Sequence, residues 1–227
     1  MTDPILFVVG AAEAALVTAA VVGRAAARGD AVVAVDLAAW QGPLDVWLGL
    51  EHLPGVRWDA FVGAEGALDG DALVSRLPAA GGVAVLSHPR GLPAPIEPPL
   101  AGEVLAAVRG RPAVVVVRAG DPSWLTPLRA PDDPVAIVTS DRVPELTAAY
   151  AAGAAAPGAV LLTVPTAGDA DPEWEEELAV FEEVVVRRAD WRSVQRGRIP
   201  GDGRRSRLGR AADGLLDLLD GAGRQAA

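Results

Sequence analysis

The sequence predicts a three-layer α/β/α sandwich on a mostly parallel sheet of about seven strands. Three observations predict it. Short β-branched runs are continuously apolar, without the polar alternation of a half-solvated strand, so they belong to strands buried on both faces. Ala-rich helical segments separate these runs, most of them long enough for the right-handed crossovers that parallel strands require. A chain of 227 residues that is 51% hydrophobic and 22% charged can also bury one sizeable core.

In chain order the strand runs are Ile5–Val9, Ala31–Val35, Val83–Leu86, Ala113–Val117, Val135–Val138, Val160–Thr163 and Glu183–Val186. The helical segments between them are Ala11–Arg28, Leu44–Leu50, Asp71–Leu77, Leu100–Arg109, Pro144–Ala152 and Glu173–Phe181. The last follows Asp171-Pro172, an N-cap with Pro at the first helical position, and its acidic first turn suits the helix dipole. Structure therefore accounts for that acid, and a calcium site would need a more regular ligand spacing. No internal repeat is visible. Trp40, Trp47, Trp58, Trp124, Trp174 and Trp191 stand mostly beside Pro, Gly or charges and read as partly buried packing residues.

Composition excludes several chemistries. There is no Cys, so disulfides, thiolate metal sites and Cys nucleophiles are out, and two isolated His residues leave little for a zinc site. All 20 basic residues are Arg, so chemistry that needs a lysine is out as well. The start, Met1-Thr2-Asp3-Pro4, lacks the basic region of a signal peptide, which predicts a cytoplasmic protein. Charge is uneven: residues 1–186 hold ten Arg against 25 acidic residues, whereas 187–227 hold ten Arg against five Asp. This places a boundary near 187, between an α/β domain (1–186) and an Arg-rich C-terminal segment with a terminal helix packed on that domain (187–227).

In an open α/β sheet the ligand site lies at the carboxyl ends of the strands, which directs attention to the first strand-to-helix turn. It reads Val8-Val9-Gly10-Ala11-Ala12-Glu13-Ala14-Ala15-Leu16-Val17-Thr18 and leads into a helix over Ala19–Arg28. A phosphate cradle needs glycines so that backbone N–H groups can converge, a Lys for charge, and a Ser or Thr for magnesium. Only Gly10 and Thr18 remain of that set.

This segment resembles the nucleotide loop of the MinD/ParA-type deviant P-loop proteins, and the chain is most similar to their CpaE-like (TadZ-like) actinobacterial branch. The family motif G-K-G-G-x-G-K-T-T falls on Gly10 through Thr18 without a gap. Its signature lysine lands on Ala11, two glycines on Ala12 and Glu13, the last glycine on Ala15, the phosphate lysine on Leu16 and the magnesium hydroxyl on Val17. Further likeness lies in Ala31–Asp36, in Gly42-Pro43-Leu44-Asp45-Val46-Trp47-Leu48-Gly49-Leu50-Glu51 and in Gly55-Val56-Arg57-Trp58. It continues through Val83–Ser87, Val135–Ser140 and the Arg-rich end into Leu208-Gly209-Arg210-Ala211-Ala212, and so covers most of the chain. Such proteins often carry a receiver-like region ahead of this fold, whereas this sequence begins at the first strand. The strand Val114–Val117, which the resemblance matches to the Walker B strand, ends in Arg118 where the family has a metal-organising Asp. Arg118 would repel magnesium, and it is placed to pair with Asp36 or Asp121 across the strand ends. Asp36 matches the acid after the family's second strand, and the next Asp of the branch is Ala38. Glu13, set at a helix N-terminus, is expected to fill the vacated anion position, or else to be an ordinary solvated residue of the first turn.

Other candidates are weaker. Ser87 and His88 are adjacent on an extended segment and point apart, so they form no nucleophile–base pair. His52 reads as a surface residue at a helix end. The apolar set Leu208, Ala211, Ala212, Leu215, Leu216, Leu218 and Leu219 marks an amphipathic helix whose polar face carries Asp213, Asp217 and Asp220, which suits docking on its own acidic domain.

The resemblance implies a P-loop NTPase fold without nucleotide chemistry: a non-catalytic positioning or scaffold protein for septum or Tad-type pilus/secretion machinery. Its partners would be proteins of that machinery and, as a homodimer, a second copy over the face that once held nucleotide. Neither cofactor nor metal is expected, and the chain would work in the cytoplasm or at the periphery of the membrane or septum. Two alternatives stay open: a residual ATP and magnesium switch using Arg118 or an Arg of a partner subunit, and a DNA or anionic-membrane factor using Arg187–Arg210.

Overall fold

The computed structural model describes residues 3–63, 67–93, 96–111, 114–164, 181–183, 188–196, 198–201, 203 and 206–226. Its strands are β1 (Leu6–Gly10), β2 (Val32–Asp36), β3 (Ala79–Ala80), β4 (Val83–Leu86), β5 (Val114–Ala119), β6 (Val135–Ser140), β7 (Val160–Val164) and β8 (Phe181–Glu183). Its helices are α1 (Ala12–Arg28), α2 (Leu44–Trp47), α3 (Gly70–Arg76), α4 (Pro98–Val108), α5 (Leu125–Leu128), α6 (Val143–Ala155), α7 (Arg188–Gln195) and α8 (Arg207–Ala226). The strands form one sheet in the order β3-β4-β2-β5-β1-β6-β7-β8, parallel except where β3 meets β4. Parallel register is continuous across the middle: Val8 pairs with Arg118 on one side and Ala136 on the other, and Asp36 pairs with Arg118.

The continuous apolar runs are what this sheet demands. Leu6 and Val8 point to one face, where α1, α2 and α8 cover them, while Phe7 and Val9 point to the other, among residues of α3, α4 and α6. Every residue of β2 and β5 is buried, so alternation has no solvent side to record. At the amino ends of the strands Asp133 accepts from Ile5 N at 2.8 Å and Ala130 N at 2.8 Å, and receives both guanidinium nitrogens of Arg109 at 2.9 Å. A carboxylate so surrounded fixes where β1 and β6 begin.

Several expectations shift. The eighth strand is the two-residue edge β3, too short to announce itself in the sequence. The helix drawn over Leu44–Leu50 stops at Trp47. Phe181, drawn as the end of a helix, instead opens β8 and pairs with Leu161; the rest of that helix, its Asp171 cap and Trp174 lie outside the described residues, as do Ala113 and Val184–Val186. The tryptophans do not behave as one class: Trp58 is buried and donates Nε1–H to Asp36 O at 2.7 Å, whereas Trp40 is 81% exposed. His52 is exposed in a turn beyond α2, beside Glu51 at 3.1 Å.

Of the Arg-rich segment, Arg187, Arg204 and Arg205 lie outside the described residues. The part that is described crosses α1 closely: a Cβ on Gly23 would stand 2.1 Å from Ile199 Cγ2, so a larger residue would push Ile199 off the helix. Beyond it α8 lies along α1 and buries Leu208, Ala211, Ala212, Leu215, Leu216 and Leu219, while Leu218 stays 44% exposed. Arg24 pairs with Asp213, which also takes Arg28 at 3.1 Å, and Arg28 reaches Asp217 at 3.6 Å.

Candidate functional site

The carboxyl ends of β1, β2, β4, β5 and β6 and the segments that follow them make the candidate site. Between β1, which ends on Gly10, and α1 there is only Ala11. Gly10 has φ 150°, and a Cβ there would lie 2.2 Å from the Val138 carbonyl oxygen, which is the physical need for glycine at this position. Ala11 precedes the helix without a side-chain cap. From Ala12 onward the chain is helical, within one residue of the helical segment Ala11–Arg28 read from the sequence pattern, and this corrects the turn through Thr18 ahead of a helix over Ala19–Arg28 that the motif alignment gave. The reason lies in the residues: Ala-Glu-Ala-Ala-Leu-Val-Thr-Ala-Ala contains no glycine to hold a loop open and is mostly good helix formers. In a helix, backbone N–H groups beyond the first turn bond to carbonyls four residues back and do not converge on a ligand. Ala15, Leu16 and Val17 are wholly buried in the core, and the buried Thr18 donates its hydroxyl to Ala14 O at 2.7 Å. Glu13 sits half-buried in the first turn, at the edge of a cleft of about 400 Å³ shared with Gly10, Ala11, Thr139, Ser140 and Arg142. The loop whose anion position it was expected to fill is absent.

Asp36 and Arg118 do come together, both wholly buried, with Nη1 3.7 Å from Oδ1. Asp36 also accepts from Ala38 N at 3.1 Å, Leu44 N at 2.8 Å and the Ser87 hydroxyl at 3.3 Å. Burial pushes the Asp36 carboxyl up, against the pull of Arg118 and these donors. Arg118 gives its remaining bonds to backbone: Nη1 to Gly42 O at 2.9 Å and Nη2 to Gln41 O at 3.1 Å. Burial lowers its own pKa and Asp36 opposes that shift. Asp121, the other expected partner, instead caps a short turn by accepting from Ser123 N at 2.7 Å. Ala38 lies beside the pair as part of the Asp36 turn.

Sequence reasoning missed the outer ring of this cluster. Asp45 is buried and paired with Arg57 at 2.9 Å, and its N–H reaches the Ser87 hydroxyl at 3.4 Å. Gln41 reaches Gly120 O at 3.3 Å; with its amide turned, Nε2 instead donates to Gly10 O at 3.0 Å and Ala11 O at 3.2 Å, bridging the ends of β1 and β2. Most of these acceptors are backbone carbonyls, which every residue carries and no motif advertises. His88 is 1% exposed and neither ring nitrogen has a partner among the described residues; burial first, then Arg118, pushes its pKa down to about 4, so it is a neutral ring at pH 7. Among the described residues no three His, Asp or Glu gather as metal ligands.

Known structures carry the same arrangement of strands and helices. MinD, the septum site-determining protein complexed with Mg-ADP from Pyrococcus horikoshii OT3, superposes with a TM-score of 0.69 at 16% identity, covering 99% of this chain and 97% of that one. The fold is that of the MinD and ParA ATPases. A chain of the MinC:MinD cell division protein complex from Aquifex aeolicus gives 0.69 at 13% identity, with 96% of each chain covered. A ParA family ATPase from Chlorobium tepidum TLS gives 0.67 at 15%, covering 94% of this chain and 99% of that one. No protein-family profile and no curated protein matches the sequence. Within this MinD/ParA fold, no helix among the described residues is long and apolar enough to cross a membrane.

Proposed function

We propose that this chain is a MinD/ParA-fold pseudo-ATPase of the CpaE-like branch, a protein that binds no nucleotide and serves as a positioning or scaffold element for septum or Tad-type pilus/secretion machinery. The observation that carries the reading is α1 running back to Ala12 through the positions the resemblance assigns to the phosphate loop. The residues present do not fit a magnesium nucleotide. The backbone donors from Leu16 onward are spent inside the helix, the Thr18 hydroxyl is bonded to Ala14 O, and a buried guanidinium occupies the place of the metal carboxylate. Losing one preorganised charge stabiliser costs a transfer reaction on the order of 3 kcal/mol in its barrier, and the resemblance has the whole set replaced, so turnover is not expected either. Arg118 does not rescue a residual switch, because Nη1 and Nη2 are already committed to Gly42 and Gln41. A homodimer over this face, and partners that hold the protein at the membrane or septum, follow from the same resemblance. Isothermal titration with millimolar Mg-ATP and Mg-GTP is expected to show no saturable heat; a micromolar Kd overturns the reading.

A further inference from the structure

A second cavity, of about 500 Å³, opens beyond β2 and β5, and two tryptophans, Trp40 and Trp124, stand in its wall with Pro93, Ile96, Gln41 and Asp121. We infer that it is a binding site for a small organic cation with a guanidinium, amidinium or alkylammonium head. The volume is in the range that holds a small molecule, roughly 300–1,000 Å³. Trp40 is 81% exposed on the wall of this hollow, so its indole stands in water beside other apolar side chains. Although the chain has 20 Arg, none of them lines the cavity among the described residues; the charge there is the carboxylate of Asp121.

Two indole rings and one carboxylate in the lining suit a cation. The ring quadrupoles present negative faces, and their attraction is strongest for a weakly hydrated charge such as guanidinium or a substituted ammonium. Hydrogen bonding from Ser123 holds the Asp121 carboxyl below its usual range, so it is ionised at pH 7. A phosphate would be repelled by that carboxylate. A neutral apolar guest would use the indoles but strip water from Asp121 without returning a partner. The net charge of −10 draws a cation toward the chain. None of this depends on whether nucleotide binds beside Gly10, so the two tests can fail separately.

The test is titration of the whole chain with benzamidine, followed by calorimetry and tryptophan fluorescence, against benzamide as the neutral molecule of the same shape. Benzamidine is expected to saturate with a Kd of about 1 mM or tighter and benzamide to bind at least about tenfold more weakly. Trp40→Ala is expected to weaken benzamidine about fivefold, the size of one exposed cation–π contact, and Asp121→Asn by a similar factor, the size of one exposed ion pair. Asn keeps the cap on Ser123, so the urea midpoint of Asp121→Asn should match the parent, and unchanged binding in that folded variant overturns the proposal. Acetyl-Gly-Arg-Gly-amide forms the second arm: tighter binding than benzamidine assigns the cation to a partner's arginine, weaker binding to a free metabolite, and either supports the site. No saturation by either cation up to about 10 mM, or equal binding of benzamide, overturns it.

Discussion

Arg118 and Asp36 show how a buried charge pair can be absorbed by its surroundings. A buried carboxylate facing a buried guanidinium returns its desolvation cost only when the remaining donors and acceptors are also met. Here two backbone N–H groups and a hydroxyl complete Asp36, and two carbonyls take up Nη1 and Nη2 of Arg118, leaving only Nε without a partner among the described residues. The sequence put Arg118 within reach of Asp36 or Asp121, because the pattern made their strands parallel, but it left the choice between the two open and gave no sign of the carbonyl acceptors. His88 lies against this cluster and yields a pH prediction. Its folded pKa of about 4 is below the unfolded value of 6.5, so the stability it confers is complete above pH 6.5 and is lost as pH falls toward 4. Between pH 7 and pH 5 the unfolded chain binds a proton the folded chain refuses, a loss of about 2 kcal/mol. Urea unfolding at the two pH values measures it, and His88→Leu is expected to flatten the difference. Because burial raises the Asp36 carboxyl and so works in the opposite direction, the two chains are compared: a pH difference unchanged in His88→Leu would mean the ring is not kept neutral by the fold.

At the scale of elements, helix α1 records a contest between resemblance and propensity. Alignment to a glycine-rich motif suggested a loop to Thr18, while the residues actually present, alanines with Leu16 and Val17 between them, favour a helix, and the structure follows the residues. Strands were the most legible elements because a strand buried on both faces leaves an unbroken apolar run. Val83–Leu86 was read with its observed limits, and β1, β2, β6 and β7 to within two residues at each end. Short pieces were illegible: β3 has two residues, α5 has four, and their existence depends on what packs on them. Because Leu16 points into the core, placing there the lysine that the resemblance assigns to this position, Leu16→Lys, would bury an ammonium among apolar side chains. Thermal and urea unfolding are expected to show a loss above about 4 kcal/mol and no gain in Mg-ATP binding. A variant as stable as the parent that binds Mg-ATP would mean these residues can form the loop after all.

For the molecule as a whole, the decisive packing is α8 against α1. The apolar residues that make α8 amphipathic, Leu208, Leu215, Leu216 and Leu219, are 5% exposed or less, so the face an interfacial helix would insert into lipid is already spent on the core. Toward α1 the polar side is fastened by Asp213, whose carboxyl is held below its usual range first by the hydrogen bond from Arg24 and further by Arg28. Toward solvent it shows Asp217 and Asp220, 74% and 56% exposed, which an anionic surface repels. The uneven charge of the sequence was plain to read, and Asp213, Asp217 and Asp220 on the terminal helix pointed to docking on the chain itself, with DNA and lipid as the alternatives. Releasing α8 would expose four leucines on it and the α1 surface beneath, several kcal/mol of buried area at about 25 cal/mol per Å², against roughly 1 kcal/mol regained for each Arg brought to an anionic bilayer. The Arg of α8 itself, Arg207, Arg210 and Arg224, would return about 3 kcal/mol between them, and Asp217 and Asp220 on the same helix oppose even that. Co-sedimentation with vesicles rich in phosphatidylglycerol, at low salt, is therefore expected to leave the chain in the supernatant. Leu216→Asp should lower the unfolding midpoint without changing that result. Pelleting of the parent chain, abolished by 0.5 M salt or by Leu216→Asp, would show instead that α8 leaves α1 for the membrane and that the docked helix is only one of its two positions.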